Sequence, residues 1–447
     1  MNTLADRIGG KRRVIGGPFG SNLTQKDYVS EGVPVIRGTN MEHHGRWIGG
    51  GFAFVNEEKA KALGSNIAHP GDIVVTQRGT LGQVSIIPTT LAYPRYVISQ
   101  SQMAIAVDGS VAHPQYVYYY LRSPAFNAYV ANSTIQTGVP HINLGILRDA
   151  PALWPTLPEQ CAIATTLGSL DDKIELNQHM NETLEAMAQA IFRDWFVDFG
   201  PTRRKLEGAA DPLTIMGGLV QDTERAQAVA DLFPAALGDD GLPEGWKRKA
   251  LLEEARLISG GTPKTDRQDY WDGGIPWASA KDVSQCGETL LLDTERKITQ
   301  SGLANSSTKM VPKFSTAVVA RGATTGRHCM LAEDMAMNQT CYALHSASGR
   351  PFLLYNMFGA LIGELVQAAH GSVFDTITTK TLATGFVTDA EGVAAEFEKT
   401  AAPLYAAIDN NSRQSRTLAA TRDLLLPKLM SGEIRISEAD DLMEAAQ

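Results

Sequence analysis

Two turns in the chain share one grammar: a β-branched run, then Arg-Gly, then a second glycine, as in "VVTQRGTLGQ" around Arg78 and "AVVARGATTGR" around Arg321. A glycine-rich turn of this kind can cradle a phosphate, but a nucleotide-binding loop needs a lysine and a Ser/Thr that neither turn supplies. His43-His44 has no further ligands at metal spacing. Cys161, Cys286, Cys329 and Cys341 form no CxxC pair, so no metal site and no disulfide framework is expected. The residues offer recognition chemistry instead. Arg and Lys pair with the edge of guanine, Asn and Gln with that of adenine.

Loops that place such side chains next to glycine supply the candidates. In the first half these are Ser21-Asn22, Arg37 with Asn40, Arg78 with Gln83, Gln102, and Gln136 with His141. In the second half they are Lys264-Thr265, Lys281, Arg321 with Arg327, Asn338-Gln339, and His370 with Ser372. Arg12-Arg13 suits phosphate better than bases, because half or more of the contacts in such interfaces go to the backbone. Each candidate has a structural alternative. Arg78 and Arg321 would pin a turn to a carboxylate, and Gln102 and Gln339 would be strand residues facing solvent. Arg37 and Lys281, read as matching loop positions with different side chains, fit divergent readout.

The elements that must carry these residues are written twice. "DYVSEGVPVIRGTNM" from Asp27 aligns without a gap on "DYWDGGIPWASAKDV" from Asp269, and Arg78 corresponds to Arg321. Each copy leads into an apolar seam at alternating four- and three-residue spacing. The first runs from Ile163 through Ile174, Asn177, Asn181, Leu184 and Ile191 to Trp195; the second runs through Ile408, Asn411, Ser415, Leu418 and Leu425 to Leu429. The spacing predicts helices over 157–196 and 393–430, with Pro427 kinking the last turn of the second. Both seams turn polar at the same place. An amide on a seam is satisfied only opposite another polar group, so it sacrifices stability to fix register. Two equivalent helices align central polar patches most simply when antiparallel.

The fold class expected is therefore α+β: two pseudo-symmetric domains separated by a long antiparallel two-helix coiled coil. The domains are placed at 1–155 and 246–392, the spacer helices at 156–200 and 393–432. An acidic linker at 201–245 and an acidic tail at 433–447 complete the chain. At 447 residues the chain has room for about three domain-sized units of ~150 residues. The net charge of −9 is unevenly spread: residues 1–150 hold 13 Lys+Arg against 9 Asp+Glu, whereas Leu206–Gly245 holds eight acids and Arg225 alone as base. A local positive field is what nucleic acid needs, so the total charge excludes nothing. The linker composition predicts partial mobility. "MNTLADRIGG" has no apolar core, and the apolar window "PFLLYNMFGALIG" falls short of the ~20 residues of a membrane span, so a cytoplasmic protein without membrane contact is expected.

"GPFGSNLTQKDYVSEGVPVIRGTNM", "SGGTPKTDRQDYWDGGIPWASAKDV" and above all "LPEQCAIATTLGSLDDKIELNQHMNETLEAMAQAIFRDWFVDF" resemble the specificity subunit of type I restriction–modification systems, over essentially the whole chain. The resemblance implies that the two domains are target recognition domains of a non-catalytic subunit that uses no cofactor. Its partners would be double-stranded DNA, two adenine-methylating modification subunits and ATP-dependent restriction subunits, with each recognition domain reading half of an asymmetric, interrupted site. Consistently, the sequence has no Asn/Asp-Pro-Pro-aromatic segment of the sort an adenine methyltransferase needs. The competing reading is an assembly scaffold with two protein-binding heads. The second copy opens with "LPEGWKRKALLEEARLISGG", the first with only a short lead to "GGPFGSNL", which questions how the first domain's edge is covered. Phe192, Trp195, Phe196 and Phe199 crowd the end of the first helix. Trp195 is assigned to the core, while Phe196 and Phe199 are candidates to face a modification subunit.

Overall fold

The computed structural model describes residues 3–41, 45–90, 93–135, 139–220, 222–368, 376–384 and 386–439. They form two compact units: Met1–Glu175 with Arg416–Gln447, and Leu176–Ser415. Two long helices contribute to both, a central helix Leu157–Phe196 and a C-terminal helix Glu391–Ser431. The C-terminal helix continues through Pro427.

In unit one the strands are β1 (Val14–Gly16), β2 (Tyr28–Val29), β3 (Val33–Ile36), β4 (Ala53–Val55), β5 (Ile67–Ala68), β6 (Ile73–Thr76), β7 (Val84–Ile86), β8 (Tyr96–Ile98) and β9 (Gln102–Ile105). They make two sheets, β1-β9-β6-β7 and β2-β4-β3-β8-β5. The first sheet is buried on both faces, which is why β6 reads as an unbroken β-branched run. Ile73 and Val75 enter the core shared with helices, and Val74 enters the core shared with the second sheet.

In unit two the strands are β10 (Lys247–Ala250), β11 (Ala255–Ser259), β12 (Trp271–Ala278), β13 (Leu290–Leu291), β14 (Lys297–Ile298), β15 (Thr316–Val319), β16 (His328–Leu331), β17 (Ala336–Met337), β18 (Cys341–Ser346) and β19 (Phe386–Asp389). The order β11-β18-β15-β16-β13 repeats that of β1-β9-β6-β7 and adds one strand. The parallel pair β3–β8 has its counterpart in β12–β17. The duplication is thus one of topology as well as sequence. The copies differ at their start: the β10–β19 ribbon of unit two corresponds to a single bridge, Thr3 with Pro151, in unit one. There, helix Leu4–Arg7 buries Leu4 and Ala5 instead.

The two helices pack antiparallel within each unit. In unit one Ile163, Leu167 and Leu170 share a core with Leu418, Leu425 and Leu429, and Ile174 packs against it half-buried. Beside this core Arg422 donates to Asp171 at 2.6 Å, with both side chains more than nine-tenths buried. Burial alone would lower the Arg422 pKa, but the adjacent Asp171 carboxylate carries it above its ordinary value. In unit two Asn177 Nδ2 donates to Gln414 Oε1 at 2.9 Å and to Ser415 Oγ at 3.3 Å. Asn181 donates to Ser412 Oγ at 3.0 Å and accepts from Asn411 Nδ2 at 3.0 Å. Leu184, Ile191, Trp195 and Ile408 then join one core with Phe397 and Ala401.

Carboxylates on the central helix anchor each module's sheets. Asp172 and Glu175 accept from Arg46, and Glu175 also accepts from Trp47 Nε1 at 2.9 Å, all in unit one. In unit two Glu185 accepts from Thr289 Oγ1 at 2.5 Å and from the Tyr355 hydroxyl at 3.1 Å.

Two expectations are corrected. The acidic segment is folded: helices Gly200–Leu206, Pro212–Ile215 and Thr223–Ala230 follow one another, and Ile215, Met216, Ala226, Val229 and Phe233 are buried in the core of unit two. Its acids concealed the helical spacing of these apolar residues. Asp211 and Asp222 cap helices, and Lys205 is tied to the carbonyls of Ala230 and Phe233. Phe196 is also core, edge-on to Phe397 and 3% exposed. It does not face outward. Phe199, half-buried, packs edge-on to Trp246.

Removing one partner of a buried ion pair strands the other charge, at a cost of about 3–5 kcal/mol. Arg422→Ala should lower unfolding stability by that amount in denaturant titration. Arg422→Met combined with Asp171→Asn should recover most of it.

Candidate nucleic-acid interface

In both units the candidate loops converge on the link between the parallel-paired strand and the central strand of the first sheet, β8 to β9 and β17 to β18. Equivalent backbone hydrogen bonds hold the two frames. Ser99 N donates to Ile36 O at 3.0 Å, as Asn338 N does to Ala278 O at 3.0 Å. Gln77 N donates to Ser101 O, as Ala320 N does to Thr340 O. Ile142 N reaches Gln77 O, as Ile377 N reaches Ala320 O. Arg78 bridges to His141, and Arg321 bridges to Thr376.

The loop after the edge strand crosses this link at the closest approach a chain can make. A Cβ added to Gly17 would lie 1.9 Å from Ser99 O, and one added to Gly260 would lie 1.9 Å from Asn338 O. Only glycine fits either position.

Sequence-selected residues divide into three groups on this frame. The first stands exposed on the loops: Ser21, Asn22, Arg78, Lys264, Thr265, Arg321 and Arg327. Among the described residues Arg78, Arg321, Lys264 and Arg327 have no side-chain partner, so the pinning of the Arg-Gly turns to a carboxylate is not seen. Gln339 is exposed and accepts from Thr262 Oγ1, and His141 Nδ1 lies 3.1 Å from Val139 O. Half-buried Arg37 extends toward Gly51 O at 3.4 Å.

The second group is internal. Asn40, 2% exposed, accepts from Arg37 N and donates to Gly50 O at 2.7 Å. Gln83 donates to Met41 O and accepts from Thr76 Oγ1, each at 3.1 Å. Gln102 is 1% exposed and accepts from Ser99 Oγ. It faces neither solvent nor a ligand, because the strand that carries it is covered on both sides. Asn338 Oδ1 is taken up by Thr340 N and Oγ1, closing a turn.

The third group lies elsewhere. Arg12 and Arg13 precede β1, beside Ala106 and Asp108 at the end of the sheet away from the loops. Arg12 is exposed, and Arg13 is paired with Asp108 at 3.0 Å. Exposed Lys281 pairs with Glu295 at 2.7 Å, an interaction that raises the lysine's pKa. Arg37 and Lys281 are not equivalent: Asn40 and Asp282 both cap the residue three before them, which matches Arg37 with Ser279 and Thr39 with Lys281. Gln136, His370 and Ser372 lie outside the described residues.

Three contributions escaped sequence reading. Phe19, in the first loop of unit one, is 74% exposed. Its one signal is the flanking "GPFG". Ser412 and Gln414 complete the polar patch of the helix pair from positions off the predicted seam. Asp171 forms the buried pair with Arg422 from a position off the first predicted seam.

The sequence profile of the type I restriction modification DNA specificity domain matches residues 20–186 and 243–384. The type I restriction enzyme HindI specificity subunit of Haemophilus influenzae is 26% identical over 76% of this chain and 81% of its own length. The MjaIX specificity subunit of Methanocaldococcus jannaschii is 23% identical over 92% of this chain and 89% of its own. The crystal structure of the type I restriction–modification S subunit from M. genitalium has a TM-score of 0.50 and 15% identity over 93% of each chain, a likeness of fold. With a profile match over more than half of its length, in two stretches that bracket the two repeated modules, the chain belongs to the type I restriction–modification DNA specificity family.

Proposed function

We propose that the chain is the non-catalytic subunit that gives a type I restriction–modification complex its DNA sequence specificity, each recognition module reading one half of a bipartite, asymmetric site. The observation that carries this reading is the pair of loop frames. Backbone hydrogen bonds at equivalent positions build the same platform twice, and exposed Lys, Arg, Asn and Ser side chains of different identity stand on it. A platform kept constant while its side chains diverge is what two readers of unlike sequences require.

In this reading double-stranded DNA contacts the exposed group of loop residues, and Arg12 serves a phosphate. Asn40, Gln83 and Gln102 support the loops from within. Two modification subunits carry out adenine methylation, and restriction subunits supply ATP-dependent translocation and cleavage, in the cytoplasm. The helix pair docks the modification subunits and sets the number of unread base pairs. The scaffold alternative gives no reason for cations without side-chain partners among the described residues to be exposed on both frames.

Exchanging residues 1–155 for the matching module of another family member should change one half of the methylated sequence and leave the other intact, as read by methylation mapping of host DNA. An unchanged sequence, or loss of both halves with the complex still assembled, contradicts the reading. Phosphate contacts release counterions, so log affinity of the assembled complex should fall linearly with log salt, with a slope of about −0.9 per contact. A scaffold would show no such dependence.

A further inference from the structure

Because equivalent backbone bonds hold the two frames, the side chains that differ on them can carry a difference in what is read. Counting from the equivalent glycines Gly17 and Gly260, Phe19 falls at Thr262 and Ser21 at Lys264. Counting back from Asp27 and Asp269, one residue shorter, puts Asn22 at Lys264, and Ser21 and Asn22 are both uncharged. The hairpin bond from Thr76 N to Gln83 O matches that from Val319 N to Arg327 O, so Gln83 corresponds to Arg327. Arg78 and Arg321 are the same residue in the same place. Their role is common to both halves, which suits a phosphate.

The differing positions have opposite chemistry. In unit two the frame carries two further exposed cations, Lys264 and Arg327, without side-chain partners among the described residues. A cation facing guanine O6 and N7 makes the commonest specific contact in the major groove. In unit one the position of Arg327 holds Gln83, whose amide is spent on Met41 O and Thr76, and the position of Lys264 holds an uncharged side chain.

The first loop instead presents Phe19. Phe19 is 74% exposed, and among the described residues no other aromatic ring ranks with the exposed large apolar side chains. The backbone on either side of it is constrained: Gly17 is wedged against the Ser99 carbonyl, and Gly20 turns the chain at φ 58° just beyond Phe19. The matching Thr262 is instead tied down to Gln339. An exposed phenyl ring on a DNA-facing loop has one apolar group to meet in the major groove, the thymine methyl. Resting on the half-site reading above, we propose that the half-sites differ in kind. Lys264 and Arg327 read guanine in the half-site of unit two, and Phe19 packs on a thymine methyl in the half-site of unit one.

The test uses the full chain in its assembled complex to select binding sequences from a randomised duplex pool. The selected duplex is then remade with 7-deazaguanine, which lacks N7, or with uracil, which lacks the methyl group. The 7-deazaguanine replacement is expected to weaken binding about 5-fold or more in one half only, the lower end for a bidentate base contact. The uracil replacement is expected to weaken it about 4-fold in the other half only, the worth of one buried methyl group. Lys264→Ala or Arg327→Ala should relax selection for guanine in one half. Phe19→Ala should relax selection for thymine in the other, and Phe19→Leu should largely retain it. If the replaced bases bind equally well, or the variants weaken all sequences uniformly as phosphate contacts would, the assignment is overturned while the half-site reading stands. If no two-part sequence is selected at all, the half-site reading fails and takes this assignment with it.

Discussion

Five polar side chains buried between two helices, Asn177, Asn181, Asn411, Ser412 and Ser415, fix the register on which the helix pair of unit two depends. A leucine seam would tolerate a slip of one turn or a change of direction at modest cost. An amide cannot, because a buried donor or acceptor without a partner costs about 1–3 kcal/mol. Asn181 and Asn411 bond each other, and Asn177 and Ser412 complete the patch, in one register and one direction. The patch also reaches the recognition module of unit two, where Ser412 Oγ donates to Glu288 at 2.6 Å. Thr289 beside it donates to Glu185 on the central helix. Register of the helices and placement of the sheet are one hydrogen-bonded system there.

A second constraint acts within each module. The loops that carry exposed cations and amides are held by backbone groups and by glycines that no other residue can replace, so the frame depends little on the exposed side chains. This separates the folding of the loops from the chemistry they expose. The internal amides of Asn40, Gln83 and Gln102 belong to folding, while Lys264, Arg327 and Phe19 are free to vary without disturbing the core. Such a division lets duplicated modules diverge in what they recognise while keeping one topology.

The long helices were legible because forty residues of regular spacing leave little choice, and the central helix begins and ends where its sequence predicted. The duplication was legible for the same reason, through repeated order. The acidic segment was misread because charge counts ignore spacing: its acids cap helices or face solvent while Val229 and Phe233 fill a core. Amides were misread because composition shows that Asn40 or Gln102 has donors and acceptors, but not that neighbouring backbone or a serine already uses them. Arg37 and Lys281 were mismatched by two residues against the repeat itself: the gap-free alignment from Asp27 and Asp269 puts Arg37 on Ser279, as the caps also do.

The antiparallel register is tested most directly by a double-mutant cycle across the patch in unit two. Asn181→Ala and Asn411→Ala, whose side chains bond at 3.0 Å, should be non-additive in unfolding stability, with a coupling of about 0.5–3 kcal/mol. Asn181→Ala and Leu404→Ala should add within about 0.5 kcal/mol. Additivity in the first pair with coupling in the second would show a shifted or reversed helix pairing and would contradict the account.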